Sequence, residues 1–186
     1  MEFFPTLSLG WLNGWIFLAI FLGIFGIFVK WCPKEVVARL YDEEGWTKFQ
    51  KRATTAAKIF GAVHFILLIF TPINFGTIEF IVGLILFIFG TVGMSIAIIN
   101  FKNAPVNKPI TIGLYKISRN PQIVSLYVVS LGTSFIVNSG IALLVVLASV
   151  LCSHFRILGE ERRLTEQYGE SYEEYKKKVP RYFLFF

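Results

Sequence analysis

Three charged side chains follow an apolar segment late in the chain, at Arg156, Glu160 and Glu161. Arg156 and Glu160 are four residues apart, so they can lie on one face of a helix, with Glu161 about 100° further round. A guanidinium binds a carboxylate through two hydrogen bonds, and a carboxylate binds an ammonium group, so such a set can hold a zwitterion such as an amino acid. An ion pair at a membrane surface, worth a few tenths of a kcal/mol, is the simpler interpretation and stays open.

A second polar segment, from Gly113 to Pro121, precedes the same apolar stretch. The stretch is divided at Asn138 to Gly140, a sequence typical of turns. This division predicts two helices that form a hairpin. Because a hairpin brings its two ends together, we expect the two polar clusters to meet in one site.

Both clusters contain residues at the spacing of a known motif. In the first, GLYKISRNP, the matching residues are Gly113, Leu114, Tyr115, Arg119 and Pro121. In the second, FRILGEERRLTEQYGESYEEYKKKVPR, they are Glu160, Glu161, Leu164, Tyr168, Gly169, Tyr172, Tyr175, Val179 and Pro180. From Gly113 onward the chain therefore resembles the superfamily of isoprenylcysteine carboxyl methyltransferases and phospholipid N-methyltransferases, which are integral membrane enzymes.

The resemblance implies a cofactor and a set of site residues. It implies S-adenosylmethionine as methyl donor, bound at the cytosolic mouth of the last helices and covered by the C-terminal segment. It also implies catalytic roles for Arg156 and Glu161. The cofactor-binding residues expected from it are Tyr115, Arg119, Asn120, Pro121, His154, Glu160 and Glu161. For His154, a base and a partner in an interfacial hydrogen bond are both open, and the hydrogen bond is favoured.

Three positions of the first cluster depart from the family pattern. Asn120 replaces a histidine, Ile123 a tyrosine and Ser125 a glycine. Asparagine before the proline is similar to the phospholipid-methylating branch, and its amide forms hydrogen bonds but does not titrate as imidazole does. The expected acceptor is a hydrophobic or lipid molecule, either a prenylcysteine carboxylate or a phospholipid amine.

Two other functions stay open. One is an NADPH-dependent membrane double-bond reductase, because sterol and steroid reductases resemble the C-terminal pattern. The other is a non-catalytic membrane protein that keeps the fold. The adjacent Glu160 and Glu161 favour the methyltransferases.

Membrane helices are the elements that must position these clusters. Hydrophobic residues make up 55% of the 186 residues, more than in soluble domains. A helix needs roughly 20 mostly apolar residues to cross a hydrocarbon core about 30 Å thick. The candidate spans are Trp11–Val29, Ala53 or Ile59 to Thr71, Phe80–Phe101, Ile123–Val137 and Ile141–Phe155. The predicted fold is all-α, a multi-pass membrane protein of about five transmembrane helices, with the last two as a hairpin and a cytosolic C-terminal helical segment.

The basic residues predict the orientation of the chain. All 18 lie in or beside the segments after the first, third and fifth predicted spans, and such residues accumulate in cytoplasmic loops. They are Lys30, Lys34, Arg39, Lys48, Lys51, Arg52 and Lys58; Lys102, Lys108, Lys116 and Arg119; and Arg156, Arg162, Arg163, Lys176, Lys177, Lys178 and Arg181. We therefore expect the N-terminus outside and the C-terminus in the cytosol. Because these charges flank apolar segments, the bilayer is their expected partner and nucleic acid is not.

Two parts are expected along the chain. Residues 1–101 would form three transmembrane helices with an interfacial loop, and residues 102–186 would form the catalytic part, with cofactor loop, hairpin and C-terminal cap. Small residues at Gly83, Gly90 and Ala97 predict a face where a neighbouring backbone approaches closely. No sequence pattern typical of a metal site, a P-loop or a dinucleotide-binding loop is present, so no metal is predicted.

Overall fold

The structure, a computed structural model, describes residues 1–40, 43, 45–105 and 108–183. Within these ranges the regular elements are helices. They are α1 (Trp15–Lys30), α2 (Lys34–Leu40), α3 (Lys48–Phe70), α4 (Ile78–Lys102), a short 3₁₀ helix (Gly113–Lys116), α5 (Pro121–Ile136), α6 (Gly140–Tyr168) and α7 (Glu170–Lys178).

Three of these helices, α3, α4 and α6, are long and apolar enough to cross a membrane. The apolar helices α1 and α5 have 16 residues each, which corresponds to about 24 Å at 1.5 Å per residue. The predicted all-α, multi-pass membrane fold with a C-terminal helical segment is confirmed, and α5 and α6 form the predicted hairpin.

Two predicted helix starts are displaced, each for a local reason. The first helix begins at Trp15 instead of Trp11, because the amide of Asn13 donates to the carbonyls of Ser8 (2.6 Å) and Ile69 (2.9 Å) and holds the preceding chain against α3. The second begins at Lys48, before the predicted Ala53, because Thr47 and the residue at the third helical position form a capping box. The cap extends the helix through charged residues that an apolar window excludes.

The end of the chain forms the predicted C-terminal helical segment. α6 continues from its apolar part through the charged segment to Tyr168, and the chain turns at Gly169, whose φ is +55°. α7 then begins at Glu170 without a side-chain cap. The Ser171 hydroxyl instead donates to the carbonyl of Tyr168, at 2.8 Å.

Backbones of α4 and α5 pack in direct contact at the predicted small-residue face. A Cβ atom on Gly83 would lie 2.6 Å from the carbonyl oxygen of Gly132, and one on Gly90 would lie 2.7 Å from the backbone nitrogen of Val129. Ala97 is fully buried on the same helix. The predicted close approach is confirmed, and it joins the two expected parts of the chain along a continuous seam.

The chain before α1 crosses one end of the helix bundle. The backbone N–H of Glu2 donates to the carbonyl of Asn138 (3.1 Å), and that of Ile73 donates to the carbonyl of Leu12 (2.9 Å). The α3–α4 turn and the α5–α6 turn therefore share this end. Both polar clusters lie at the other end, as the hairpin predicted.

Candidate functional site

The loop before α5 is fixed to the end of α4. The backbone N–H of Leu114 donates to Oδ1 of Asn100, at 2.9 Å. Gly113 has a φ of +54°, and a Cβ atom there would lie 2.1 Å from the same oxygen. Only glycine fits this position without displacing Asn100. The loop then leads to Pro121, whose fixed φ suits the first residue of α5.

A buried ion-pair cluster joins this loop to α6 and the C-terminal segment. One carboxylate oxygen of Glu161 lies 3.1 Å from Nε of Arg119, and the other accepts from Nη2 (2.9 Å) and Nε (3.1 Å) of Arg181. The side chains of Glu161 and Arg119 are 7% and 4% exposed. The hydrogen bond to Glu161 also raises the pKa of the Arg181 guanidinium above its usual value. Both oxygens of Glu161 are thus taken by two guanidinium groups.

Hydrogen bonds to the backbone hold the C-terminal segment over the loop. The N–H of Arg119 donates to the carbonyl of Pro180 (2.9 Å), and its Nη1 donates to the carbonyl of Lys176 (3.2 Å). The amide of Asn120 donates to the carbonyl of Arg181, at 3.2 Å. Arg119 and Asn120, two predicted site residues, therefore fasten the segment that covers the site.

Two tyrosines of α7 are buried under this cover. Tyr172 is 3% exposed and Tyr175 is 8% exposed. The hydroxyl of Tyr175 donates to the carbonyl of Tyr115, at 2.6 Å. Burial raises the pKa of both phenols well above their usual value, so they act as neutral hydrogen-bond donors and not as bases.

Between α4, the loop, α6 and α7 lies a cavity of about 330 Å³, a volume within the range of small-molecule sites. We call it the charged cavity, because basic and acidic side chains line it together with tyrosines. Of the predicted site residues, those that line it are Tyr115, Arg119, Asn120, Arg156 and Glu160. Ile123, which departs from the family pattern, also lines the charged cavity.

Three predicted site residues are not among those lining the charged cavity. Pro121 is buried at the start of α5, and Glu161 lies behind the wall in its ion-pair cluster. Nδ1 of His154 is 2.9 Å from the hydroxyl of Tyr182, so its ring is engaged in a hydrogen bond. Ser125, which also departs from the family pattern, lies where α5 packs against α4.

Arg156 and Glu160 form the ion pair that their spacing suggests. Nε and Nη2 of Arg156 each lie 2.9 Å from Oε1 of Glu160. The two side chains are 29% and 26% exposed, and both line the charged cavity. The ion pair and a role in ligand binding are therefore compatible.

Gln122, the second residue of α5, also belongs to the site and was not predicted from the sequence. Its side chain lines the charged cavity, and its Nε2 atom is buried with no hydrogen-bond partner among the described residues. Buried donors without partners are rare because each costs about 1–3 kcal/mol. Its place next to Pro121, in the first turn of a helix that begins within the motif, could have indicated that Gln122 faces the site.

A second cavity, also of about 330 Å³, lies between α3, α5 and α6. Its wall is largely apolar, and we call it the apolar cavity. Polar side chains in its lining are hydrogen-bonded to one another or to the helices: the hydroxyl of Tyr127 donates to Ser153, and Nε2 of His64 is 3.1 Å from the hydroxyl of Ser134 on α5. Arg156 lines this cavity as well as the charged one.

Comparison with known proteins agrees with this geometry. The family model of phospholipid methyltransferases matches residues 75–171, which include α4, the loop, α5 and α6. A protein-S-isoprenylcysteine O-methyltransferase of Schizosaccharomyces pombe is 37% identical over 73 residues, which are 38% of this chain and 30% of that protein. The match thus spans less than a third of the relative, and no solved structure matches the chain. Since the family model covers more than half of the chain, the protein belongs to the phospholipid methyltransferase family.

Proposed function

We propose that the protein is an S-adenosylmethionine-dependent methyltransferase that acts at the cytosolic membrane interface on a hydrophobic or lipid acceptor. The observation that carries the proposal is the place of Arg156, which borders a charged cavity and an apolar cavity. A polar donor and an apolar acceptor need two such compartments that meet at one point. Family membership supports the same reaction class.

The residues of the charged cavity suit the chemical groups of the methyl donor. A guanidinium at Arg156 complements the carboxylate of its amino-acid part, and the carboxylate of Glu160 complements the ammonium group. The faces of Tyr115 and Tyr172 suit a sulfonium cation or an aromatic base. The amide of Gln122 supplies a donor that has no partner among the described residues.

S-adenosylmethionine supplies an electrophilic methyl group on a positively charged sulfur. The protein has to hold donor and acceptor about 3–3.5 Å apart and exclude water, because the transfer neutralises a charge. Arg156 and Glu160 would orient the donor. The C-terminal segment, held by Arg119 and Asn120, would exclude water above it.

Glu161 contributes to this proposal through its neighbours. Both of its oxygens face guanidinium groups, Arg119 on the loop and Arg181 on the C-terminal segment. Its role in catalysis would therefore be to hold Arg119 and the cover in place, while Arg156 contacts the ligand. In this arrangement a change at either residue weakens donor binding, by two different routes.

The apolar cavity supports a lateral approach of the acceptor. It lies between α3, α5 and α6, and the outer faces of α3 and α6 carry exposed apolar side chains such as Ile66 and Leu147. An acyl or prenyl chain in the bilayer could occupy it and bring its head group to Arg156. In the proposed orientation the N-terminus is outside and Arg156 is at the cytosolic face, in agreement with the distribution of basic residues.

A titration of the purified protein tests the donor. Isothermal calorimetry with S-adenosylmethionine and with NADPH should show binding of the first and not of the second. Arg156→Ala should weaken binding of the methyl donor at least tenfold, as expected for loss of a hydrogen bond to a charged group. Lys177→Ala removes an exposed positive charge outside the cavity and is the matched control. Binding of NADPH alone would exclude the methyltransferase proposal.

A series of acceptors tests lateral approach. With a labelled methyl donor, prenylcysteine carboxylates and phospholipid amines of different chain length should be methylated in detergent with a kcat/KM that falls as the chain shortens. Each buried methylene group contributes about 0.8 kcal/mol. Equal kcat/KM for short and long chains with the same head group would contradict entry from the bilayer.

A further inference from the structure

We propose that Trp46 is a positioning residue for Arg156, so that the segment Gly45–Gln50, which we call the connector, forms part of the site. The inference rests on the proposed function, since it concerns the residue that would bind the donor. The connector lies outside residues 75–171, the part of the chain that matches the family model. The role proposed for the connector therefore rests on its contacts with α6 and not on the family match.

Trp46 covers one side of the Arg156 guanidinium. Its side chain is buried, with 7% of the residue exposed. Cζ of Arg156 lies 5.8 Å from the centre of the indole ring, within the distance at which a cation is attracted by an aromatic face. Glu160 binds the same guanidinium through Nε and Nη2. Arg156 is thus held by a ring and by a carboxylate.

Three further contacts fasten the connector to the same part of α6. The rings of Phe49 and Phe155 meet edge to face, with centroids 5.0 Å apart. Nη2 of Arg162 donates to the carbonyl of Gly45, at 2.8 Å. The contacts lie on either side of Arg156 along α6, so the position of the indole is set by the docking of the whole segment.

The third contact requires a glycine on α6. A Cβ atom on Gly159 would lie 2.8 Å from Cδ of Gln50. A larger residue would therefore displace the side chain of Gln50. Gln50 is itself fixed because its side chain accepts from the N–H of Thr47, at 2.9 Å, in the capping box of α3. The start of α3 and the indole of Trp46 are thereby held together against α6.

Arg156 needs this support because its ion pair alone is weak. Nε and Nη2 of Arg156 both meet the same oxygen of Glu160, so the pair lacks the parallel two-oxygen geometry that fixes a guanidinium on a carboxylate. A long arginine side chain has several rotamers of similar energy. Without the indole, the guanidinium would sample positions in both cavities that it lines.

Two variants of Trp46 separate the effect of its aromatic face from the effect of its indole nitrogen. Nε1 of Trp46 is buried without a hydrogen-bond partner among the described residues, and a buried unpaired donor destabilises the folded state. Trp46→Phe removes this donor and keeps an aromatic face. Trp46→Leu removes the donor and the face. The two variants therefore differ in the aromatic face and not in the unpaired donor, and the Arg156→Ala background tests whether that face acts through Arg156.

The first experiment measures affinity for S-adenosylhomocysteine, the product form of the donor, by calorimetry on the full chain. Trp46→Leu should weaken binding on the order of 3- to 30-fold, the range of a cation–aromatic contact. Trp46→Phe should recover most of the loss. In an Arg156→Ala background, Trp46→Leu should have no further effect. Trp31→Leu is the matched control, because Trp31 covers the cation of Lys102, at 3.1 Å, outside both cavities.

The second experiment needs no ligand. In a protein whose other three tryptophans, Trp11, Trp15 and Trp31, are replaced by phenylalanine, the emission of Trp46 should change with Arg156→Ala and not with Lys177→Ala. Emission that is unaffected by Arg156→Ala would overturn the contact. Equal losses of affinity for Trp46→Leu with and without Arg156 would overturn the positioning role. Absence of S-adenosylhomocysteine binding by the parent would instead contradict the proposed function, while the emission result still decides the contact.

Discussion

Replacing Glu161 by glutamine should release the C-terminal segment from the site. The change keeps the size of the side chain and removes its charge. It leaves the guanidinium groups of Arg119 and Arg181 facing each other without their shared carboxylate. Because Arg119 is also hydrogen-bonded to the carbonyl of Lys176, the disturbance is transmitted directly to α7.

The expected size of the effect follows from burial. Removing one partner of a buried ion pair costs about 3–5 kcal/mol. The side chain of Arg119 is 4% exposed, but that of Arg181 is 22% exposed, so Arg181 can turn partly to water. We therefore expect the lower end, about 3 kcal/mol, which corresponds to an increase on the order of 100-fold in the population of the opened segment.

Limited proteolysis measures this population. Trypsin cleaves after Lys176 to Lys178, and when opening is fast compared with cleavage, the rate follows the fraction of opened molecules. Glu166→Gln is the control, because the Glu166 carboxylate is 67% exposed and lies 3.7 Å from Arg162, a surface pair worth little. If Glu161→Gln is cleaved within threefold of the Glu166→Gln protein, the ion-pair cluster does not hold the cover and the reasoning is wrong.

Three further results are expected. Gly132→Ala should lower the free energy of unfolding by about 1–3 kcal/mol, because its Cβ would lie 2.7 Å from the carbonyl oxygen of Gly83. Gly26→Ala, which has open space around it, should not lower it. Equal shifts in the thermal unfolding of the two variants would contradict the packing account. Gln122→Leu removes a buried unpaired donor, so the protein should be as stable or more stable while the Kd for the methyl donor rises about tenfold; an unchanged Kd would show that the amide does not contact it. With both native cysteines replaced, Phe75→Cys, at a position 53% exposed in the α3–α4 turn, should react with an impermeant reagent only from outside; reaction only from the cytosol would reverse the proposed orientation.

Local patterns predicted the parts of the site that depend on neighbours in sequence. The ion pair of Arg156 and Glu160 follows from a spacing of four residues on a helix. The close packing of α4 on α5 follows from small residues on one face, such as Gly83 and Gly90. The hairpin follows from a polar turn between two apolar segments. The first two patterns follow the helical period and the third is a contiguous turn segment, so all three can be recognised in one sequence.

The contacts that complete the site join residues distant in sequence. Arg181 reaches Glu161 only because the chain reverses at Gly169 and α7 runs back over the loop. Trp46 reaches Arg156 across 110 positions through a capped start of α3. No helical period connects such pairs, so the spacing and the family resemblance indicated Arg156 and Glu161, but not Trp46 and Arg181 as their distant partners.

The unequal lengths of α5 and α6 explain how one site can serve two compartments. α5 is about 24 Å long and α6, with 29 residues, about 43 Å, against a hydrocarbon core of about 30 Å. The turn at Asn138 joins the end of α5 to the start of α6. In the proposed orientation the first residue of α5, Pro121, therefore lies near the cytosolic head-group level, while α6 continues beyond it. The charged cavity lies beside the first turn of α5, where Asn120 and Gln122 line it. Under the proposed function, this depth would let the cavity meet an acceptor chain in the bilayer, and α6 and α7 would hold a donor that arrives from water.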